Sequence, residues 1–278
     1  MILLKDCFRV VRPRYGAGAS AGSSADDLSG VDILIDGKRI SKIGAGLAAP
    51  EGCQVIDASR HVVMPGLVNT HHHFYQTLTR NVPAVQDAKL FDWLVYLYEV
   101  WKGIDEEAVY WSSMLAMAEL AKTGCTLSTD HHYLYPRNFT GDLPGIQFKA
   151  AADIGLRFAP HRGSMSRSKK DGGLPPDSVV QDEDEILAQS EEALKKYHDA
   201  APDSMNRVAL APCSPFSVSE RSMRDAADLA RKYGARLHTH LAETADEDDF
   251  CVKTLGRRPL RVMEEDRKST RLNSSHRI

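Results

Sequence analysis

From residue 61 onward, short apolar runs alternate with longer stretches of helical pattern. The apolar runs predict five strands, at residues 62–73, 125–132, 156–162, 207–213 and 235–243. The stretches between and after them predict helices at about residues 105–122, 147–155, 183–198, 220–233 and 247–255. Such alternation is typical of a parallel sheet that helices cover on both faces. The pattern therefore predicts an α/β fold and favours a (β/α)8 barrel of TIM type, of which only about five βα units are present.

The first of these predicted helices shows the pattern well. Five of its apolar residues recur at helical spacing and fall on one stripe: Ala108, Trp111, Leu115, Ala118 and Ala121. Gly124 comes next as a stop signal. A Rossmann fold would instead need a glycine-rich turn after the first strand, and the sequence has none there.

The first 60 residues have a different pattern. Val31, Ile33 and Ile35 alternate with other residues ahead of the Asp36–Gly37 turn, which predicts a β-hairpin. Residues 15–29 are rich in glycine, alanine and serine and predict a loop. We therefore expect residues 1–60 to form part of a small β-sandwich domain and residues 61–265 to form a barrel that is cut short.

The last residues, 266–278, turn abruptly rich in serine, arginine and asparagine. They resemble translated vector or adapter sequence more than a protein segment, so we expect a non-native tail that begins near Glu265. A naturally short protein with a disordered C-terminus is the alternative.

Composition excludes several classes of protein. Its 35 basic and 38 acidic residues are nearly balanced, which argues against a dedicated nucleic-acid binder. No apolar stretch approaches the roughly 18–20 residues that span a bilayer, and the N-terminus lacks the apolar core of a signal peptide. The five cysteines are scattered without paired spacing, which fits a reducing compartment. We expect a cytoplasmic protein that acts on a small molecule, with neither nucleic acid nor membrane as partner.

Histidines mark the ends of the predicted strands. Eight of the eleven fall in four such places: His71, His72, His73, His131, His132, His161, His238 and His240. In a barrel of parallel strands, the C-terminal strand ends form the active site.

His71 and His73 end the first predicted strand. Residues two apart on a strand share a face, so both rings are expected to point into the barrel mouth while His72 points away. Two neutral imidazoles that converge on one point form half of a transition-metal site. The alternative is a polar strand end with hydrogen-bonded histidines.

The fifth predicted strand ends in His238, His240 and Glu243. His240 lies nearer the strand end and is the expected third metal ligand, whereas His238 is as consistent with a core histidine. A carboxylate at Glu243 could carry protons between a metal-activated water and a substrate. The alternative for Glu243 is a charge that the helix dipole favours.

Several segments together resemble the amidohydrolase superfamily: PGLVNTHHHFYQTLTR, the DHHY segment at Asp130, and HTHLAET. Within it, the chain is similar to the branch of 8-oxoguanine, guanine and S-adenosylhomocysteine deaminases and hydroxyatrazine hydrolase. LAPCSPFSVS and GGLPPDSVVQDEDEIL look most like 8-oxoguanine deaminase. The resemblance extends from the N-terminus to about Glu265.

The resemblance implies roles for individual residues. His71, His73 and His240 would bind one divalent metal ion, zinc or alternatively iron, and Glu243 would shuttle protons. Gln76 would contact the substrate ring, although an exposed polar residue fits the same pattern. Other positions have alternative roles. Cys213 and Ser214 would contact substrate or be buried, and Trp93 and Trp101 would line a pocket or pack in the core. His131 and His132 would support the site.

The implied activity is hydrolytic deamination of a purine-like ring, with 8-oxoguanine giving urate and ammonia. A triazine hydrolase that releases chloride or an alkylamine is the first alternative, and a non-catalytic metal-binding protein is the second. The family's strand-six histidine and strand-eight aspartate have no counterpart, since the only later histidine is His276. We therefore expect the chain as written to fold poorly and to lack turnover, and we assign the activity, and possible homo-oligomer formation, to a longer protein.

Overall fold

The structure, a computed structural model, describes residues 1–12 and 27–266, without the side chains of residues 265 and 266. It divides into two compact units that meet in sequence between Gly66 and Leu67. Most of the predicted loop at 15–29, and the predicted tail beyond residue 266, lie outside the described residues. The predicted domain limits, 1–60 and 61–265, stay a prediction.

The first unit consists of short strands. Their bounds are β1 Ile2–Cys7, β2 Arg9–Val10, β3 Val31–Asp36, β4 Arg39–Gly44, β5 Gln54–Asp57 and β6 Val62–Val63. One sheet has the order β4-β3-β1-β5, and β2 pairs with β6 in a second, two-stranded sheet. The predicted hairpin is β3–β4, in which Gly37 has a φ of 55° that a glycine adopts without strain. Val62 and Val63, predicted to open the first barrel strand, pair instead with β2.

Asp32 anchors the first unit from within its sheet. Its side chain is fully buried and accepts hydrogen bonds from Lys5 Nζ at 2.8 Å and from the backbone N–H groups of Asp6 and Leu47 at 2.7 Å each. The Asp6 N–H and the Lys5 ammonium lower the pKa of Asp32 to about 2. The apolar core beside it consists of Cys7, Val10, Ile33 and Ala58.

The second unit is an α/β half-barrel, which confirms the predicted fold class. Its strands are β7 Leu67–Asn69, β8 Cys125–His132, β9 Arg157–Ser164 and β10 Ala209–Pro212, all parallel and in sequence order. Its helices are α1 Leu90–Trp101, α2 Glu106–Lys122, α3 Leu143–Ile154, α4 Glu183–Tyr197, α5 Glu220–Lys232, α6 Ala245–Leu255 and α7 Pro259–Asp266. Within the described ranges, no helix combines the length and apolar character needed to cross a membrane.

Side-chain caps explain where most helices begin. Asp105, Asp142, Asp182, Ser219 and Thr244 each accept a hydrogen bond from a backbone N–H in the first turn of α2 to α6, respectively. The sequence indicated four of these five helices to within two residues. It missed α1, which begins after Lys89 without a side-chain cap, and α7.

The fifth predicted strand, residues 235–243, is wrong as a full strand. Only Leu237 forms a bridge, to Leu210 of β10. The segment still runs parallel to β10, because His238 N donates to Leu210 O at 2.9 Å and His240 N donates to Cys213 O at 2.9 Å. We call residues 235–243 the His238 segment. Within the described residues it pairs along one edge only, so its backbone does not take up a regular ladder.

The predicted apolar stripe of α2 faces outward. Trp111 is 56% exposed and Leu115 is 41% exposed. The opposite face is buried and carries Val109, Ser112, Ser113, Ala116 and Met117. Small side chains let the helix lie close to β8 and to the 3-10 turn at Phe74–Thr79, and the Ser112 hydroxyl bonds within the helix to Val109 O at 3.1 Å.

Trp101 belongs to the apolar core behind the strand ends. It is 1% exposed, and its indole N–H donates to Thr79 Oγ1 at 3.0 Å. Trp93 packs against it with ring centroids 5.2 Å apart. The same core contains Tyr133 and Cys213, so it supports residues at the C-terminal ends of the strands.

Candidate metal centre

Six histidine rings meet at the C-terminal ends of the parallel strands. They are His71, His73, His131, His161, His238 and His240. Ring centroids of neighbouring members lie close together, at 4.8 Å for His71 and His73 and at 4.5 Å for His131 and His240. His72 points elsewhere, against Phe74 at 5.0 Å, as strand alternation predicts.

His73 and His240 face each other through their Nε2 atoms, which are 3.1 Å apart. His73 Nδ1 lies 2.7 Å from His131 O, and His240 Nδ1 lies 2.9 Å from Cys213 O. A carbonyl oxygen can only accept, so each Nδ1 carries the proton and each Nε2 presents a lone pair. Burial lowers the pKa of both rings, which keeps them neutral. Two lone pairs at this distance repel unless a cation lies between them.

His71 completes a three-histidine set. Its ring lies 5.0 Å from that of His240, and candidate ligand atoms of His71, His73 and His240 all lie within 4.8 Å of one another. Tetrahedral zinc with Zn–N bonds of about 2.0–2.1 Å separates its ligand nitrogens by roughly 3.3–3.4 Å. The donor set and its spacing therefore fit a divalent transition metal, and the structure brings the three predicted ligands together.

His131 lies deeper in the same cluster. Its ring stacks on His240 with an interplanar angle of 12°, and its Nε2 lies 3.3 Å from Ala211 O. Within the described residues, the buried Nδ1 atoms of His131 and His161 have no hydrogen-bond partner. The sequence predicted a supporting role for His131 and did not reveal this open nitrogen.

Glu243 comes at a sharp turn that ends the His238 segment, where Ala242 has a φ of 56°. The buried carboxylate of Glu247 stabilises this turn, because it accepts from Ala242 N at 3.0 Å and from Glu243 N at 2.7 Å. Partial desolvation raises the pKa of Glu243. Sequence reasoning missed Glu247, although Thr244-x-x-Glu247 is a capping-box pattern that could have indicated it.

Gln76 lies on the 3-10 turn Phe74–Thr79, directly after the first histidine pair. Its Nε2 donates to Tyr133 Oη at 3.3 Å, and the Tyr133 ring lies 5.2 Å from that of His73. Burial raises the pKa of Tyr133 well above its usual value, so the phenol stays protonated. Tyr133 was missed as a site residue, although it ends the DHHY segment.

Cys213 contributes mainly through its backbone. Its carbonyl accepts from His240 Nδ1 at 2.9 Å and from Thr239 Oγ1 at 3.3 Å. Burial raises the pKa of its thiol to about 12, and Sγ lies 3.8 Å from His240 Nδ1. Ser214 is buried, and its hydroxyl bonds to Ser217 Oγ at 2.6 Å.

Asp130 stabilises the segment that carries His71 and His73. It is fully buried, accepts from Phe74 N at 2.7 Å and also accepts from Gln147 Nε2. Burial raises its pKa to about 7. Its bond to Phe74 fixes the backbone immediately after His73, a positioning role that the sequence did not reveal.

Several known proteins are similar to this chain. Residues 62–269 match the model of the amidohydrolase family. The chain is 45% identical over 239 residues to 8-oxoguanine deaminase of Pseudomonas aeruginosa, covering 86% of this chain and 53% of that protein. It is 36% identical over 244 residues to hydroxydechloroatrazine ethylaminohydrolase of Pseudomonas sp. strain ADP, covering 84% and 50%.

Among solved structures, atrazine chlorohydrolase of Arthrobacter aurescens TC1 complexed with zinc is similar, with a TM-score of 0.86 and 26% identity over 96% of this chain and 58% of that one. The chain spans about half the length of the curated relatives it matches. Because the family match covers most of the sequence and includes every strand of the half-barrel, this chain belongs to the amidohydrolase family.

Proposed function

We propose that His71, His73 and His240 bind one divalent metal ion, zinc in the first instance, and that the site serves hydrolytic deamination of a purine-like ring. The observation that carries this proposal is the 3.1 Å approach of two Nε2 lone pairs on His73 and His240. Both tautomers are set by backbone carbonyls, an arrangement that is typical of metal-binding histidines. The zinc in a structurally similar atrazine chlorohydrolase supports the same choice of metal.

A divalent ion at these ligands would supply Lewis-acid activation of a water molecule. The chain's own residues would do the rest. Glu243, whose pKa is raised by partial desolvation, would take a proton from that water and return it during the reaction. The Gln76 amide and the Tyr133 hydroxyl would bind polar atoms on the ring edge, and the Cys213 carbonyl would hold the His240 ring in place.

The favoured substrate is 8-oxoguanine, which would give urate and ammonia. The 45% identity to an 8-oxoguanine deaminase supports this choice over the 36% identity to a triazine-ring aminohydrolase. Release of an alkylamine from a hydroxylated triazine is the second candidate, which the second relative and the triazine-hydrolase structures favour.

The first test is the zinc content of the purified chain. We expect about one zinc per chain in the wild type and none in His71→Ala, because that substitution removes one of only three ligands. His61→Ala, which changes a histidine in the first unit, is the control and should retain zinc. A wild-type chain that is folded by circular dichroism but holds no zinc would refute the metal site.

The second test separates the two substrates by calorimetry on the zinc-loaded chain. We expect 8-oxoguanine to bind more tightly than hydroxydechloroatrazine. The Gln76→Ala substitution should weaken the binding of 8-oxoguanine only. Tighter binding of the triazine would reverse the substrate assignment and leave the metal site intact.

A further inference from the structure

The histidine cluster contains a second three-histidine set. Candidate ligand atoms of His71, His131 and His238 also lie within 4.8 Å of one another. This inner set shares only His71 with the outer set of His71, His73 and His240. The outer set is the metal site of the proposed function, and a role for the inner set in metal binding rests on that proposal.

His131 is a member of the inner set with an unused lone pair. Because its Nε2 lies 3.3 Å from Ala211 O, which can only accept, Nε2 carries the proton and Nδ1 does not. That Nδ1 is buried and has no partner among the described residues. A buried acceptor without a partner is unfavourable, and a cation would satisfy it.

His238 holds a matching position across the cluster. Its Nε2 lies 3.0 Å from His71 Nδ1, and its ring centroid lies 5.3 Å from that of His131. Its backbone is fixed by the bond from His238 N to Leu210 O at 2.9 Å. The third donor is therefore attached to the parallel sheet, although the His238 segment is not a regular strand.

We propose that His71, His131 and His238 form an alternative inner site for a divalent transition metal that favours imidazole ligands, such as zinc or cobalt. The two sites are used one at a time. They share His71, and none of the candidate ligand sets among the described residues includes a carboxylate that could bridge two cations. Two dications without a bridging anion would repel each other strongly.

A purely structural role for His131 and His238 makes a different prediction. Rings that only pack or hydrogen-bond would not retain a metal ion after an outer ligand is lost. The inner site would retain it, because His71, His131 and His238 are untouched by a change at His73 or His240.

The experiment is a cobalt(II) titration of the metal-free chain, monitored by visible d–d absorption and checked by circular dichroism. We expect about one equivalent in the wild type and in His73→Ala, with a changed band shape in the variant. The double variant His73→Ala/His238→Ala should lose the absorption, as should His71→Ala. His240→Ala tests the same point independently, and His61→Ala is the matched control.

Two results would overturn the inner site. The first is complete loss of cobalt absorption in both His73→Ala and His240→Ala, when both variants are folded and the wild type binds cobalt. That result would leave the outer site and the proposed function unaffected. The other is full cobalt binding by the double variant, which would place the ion elsewhere. A folded wild-type chain that binds no cobalt would refute the outer site first, and the inner site with it.

Discussion

A buried carboxylate in the first unit and buried imidazoles in the second unit differ in how completely they are hydrogen-bonded. In the first unit, the Asp32 carboxylate is fully buried and receives three hydrogen bonds, from Lys5, Asp6 and Leu47. In the second unit, the buried Nδ1 atoms of His131 and His161 receive none from the described residues.

This difference is what we expect if Asp32 is a structural group and the histidine cluster binds the proposed metal ion. Nearly all buried polar atoms in folded proteins are paired, and exceptions concentrate where a ligand completes the pairing. Asp32 therefore stabilises a small sheet without further partners. In the histidine cluster, the Nε2 atoms of His73 and His240 face each other at 3.1 Å, and the proposed cation would bind both.

The largest effect is expected when a buried group of the second unit loses its hydrogen bonds. Asp130→Ala removes the acceptor for Phe74 N and Gln147 Nε2. We expect the free energy of unfolding to fall by about 1–3 kcal/mol for each N–H donor that is left without an acceptor, as measured by urea denaturation. Asp130→Asn keeps an acceptor oxygen and should lose less; equal losses in the two variants would show that these hydrogen bonds are not the cause.

Metal binding should stabilise the folded state of the second unit. Zinc at 100 times its dissociation constant should raise the free energy of unfolding by about 2.7 kcal/mol, because it binds only the folded state. A thermal melt with and without zinc measures this. The His71→Ala variant should show no shift, and a shift of equal size in that variant would place the stabilising ion outside the cluster.

Glu247 offers a smaller test of how the turn at the end of the His238 segment is held. Glu247→Ala leaves the N–H groups of Ala242 and Glu243 without their acceptor. We expect a loss of about 1–2 kcal/mol, comparable to the loss of a helix cap. Glu247→Gln retains one acceptor oxygen and should fall between the wild type and Glu247→Ala in the same denaturant series.

The smallest expected effect concerns acid stability of the first unit. The pKa of Asp32 is about 2 in the folded chain against an ordinary 3.8, so its contribution is fully present above about pH 4. It is lost as pH falls through the folded pKa, in the window between about 4 and 2. Hydrogen exchange of the β1 and β3 amides, measured against pH, should report this loss. The Asp32→Asn variant should show a weaker pH dependence of exchange. A variant with the same pH dependence as the wild type would show that another group titrates.

Much of the architecture comes from local sequence signals. Helices α2, α4 and α5 begin at Asp or Ser caps that bond to the first turn, so their starts could be predicted. The apolar stripe of α2 misled because Trp111 and Leu115 are exposed, whereas the face with Val109, Ala116 and Met117 packs against the rest of the unit. Hydrophobic spacing predicts the helix, and packing chooses its buried face.

The sequence alone determined the α/β class and placed His71, His73 and His240 after apolar runs, because hydrophobic spacing is a property of the local chain. Only the tertiary structure decided the tautomers of His73, His131 and His240. Those depend on carbonyl oxygens of His131, Ala211 and Cys213, which are far away in sequence and become neighbours when the sheet forms. The open nitrogen of His131 is likewise a product of folding, since it arises from long-range contacts that no local pattern encodes.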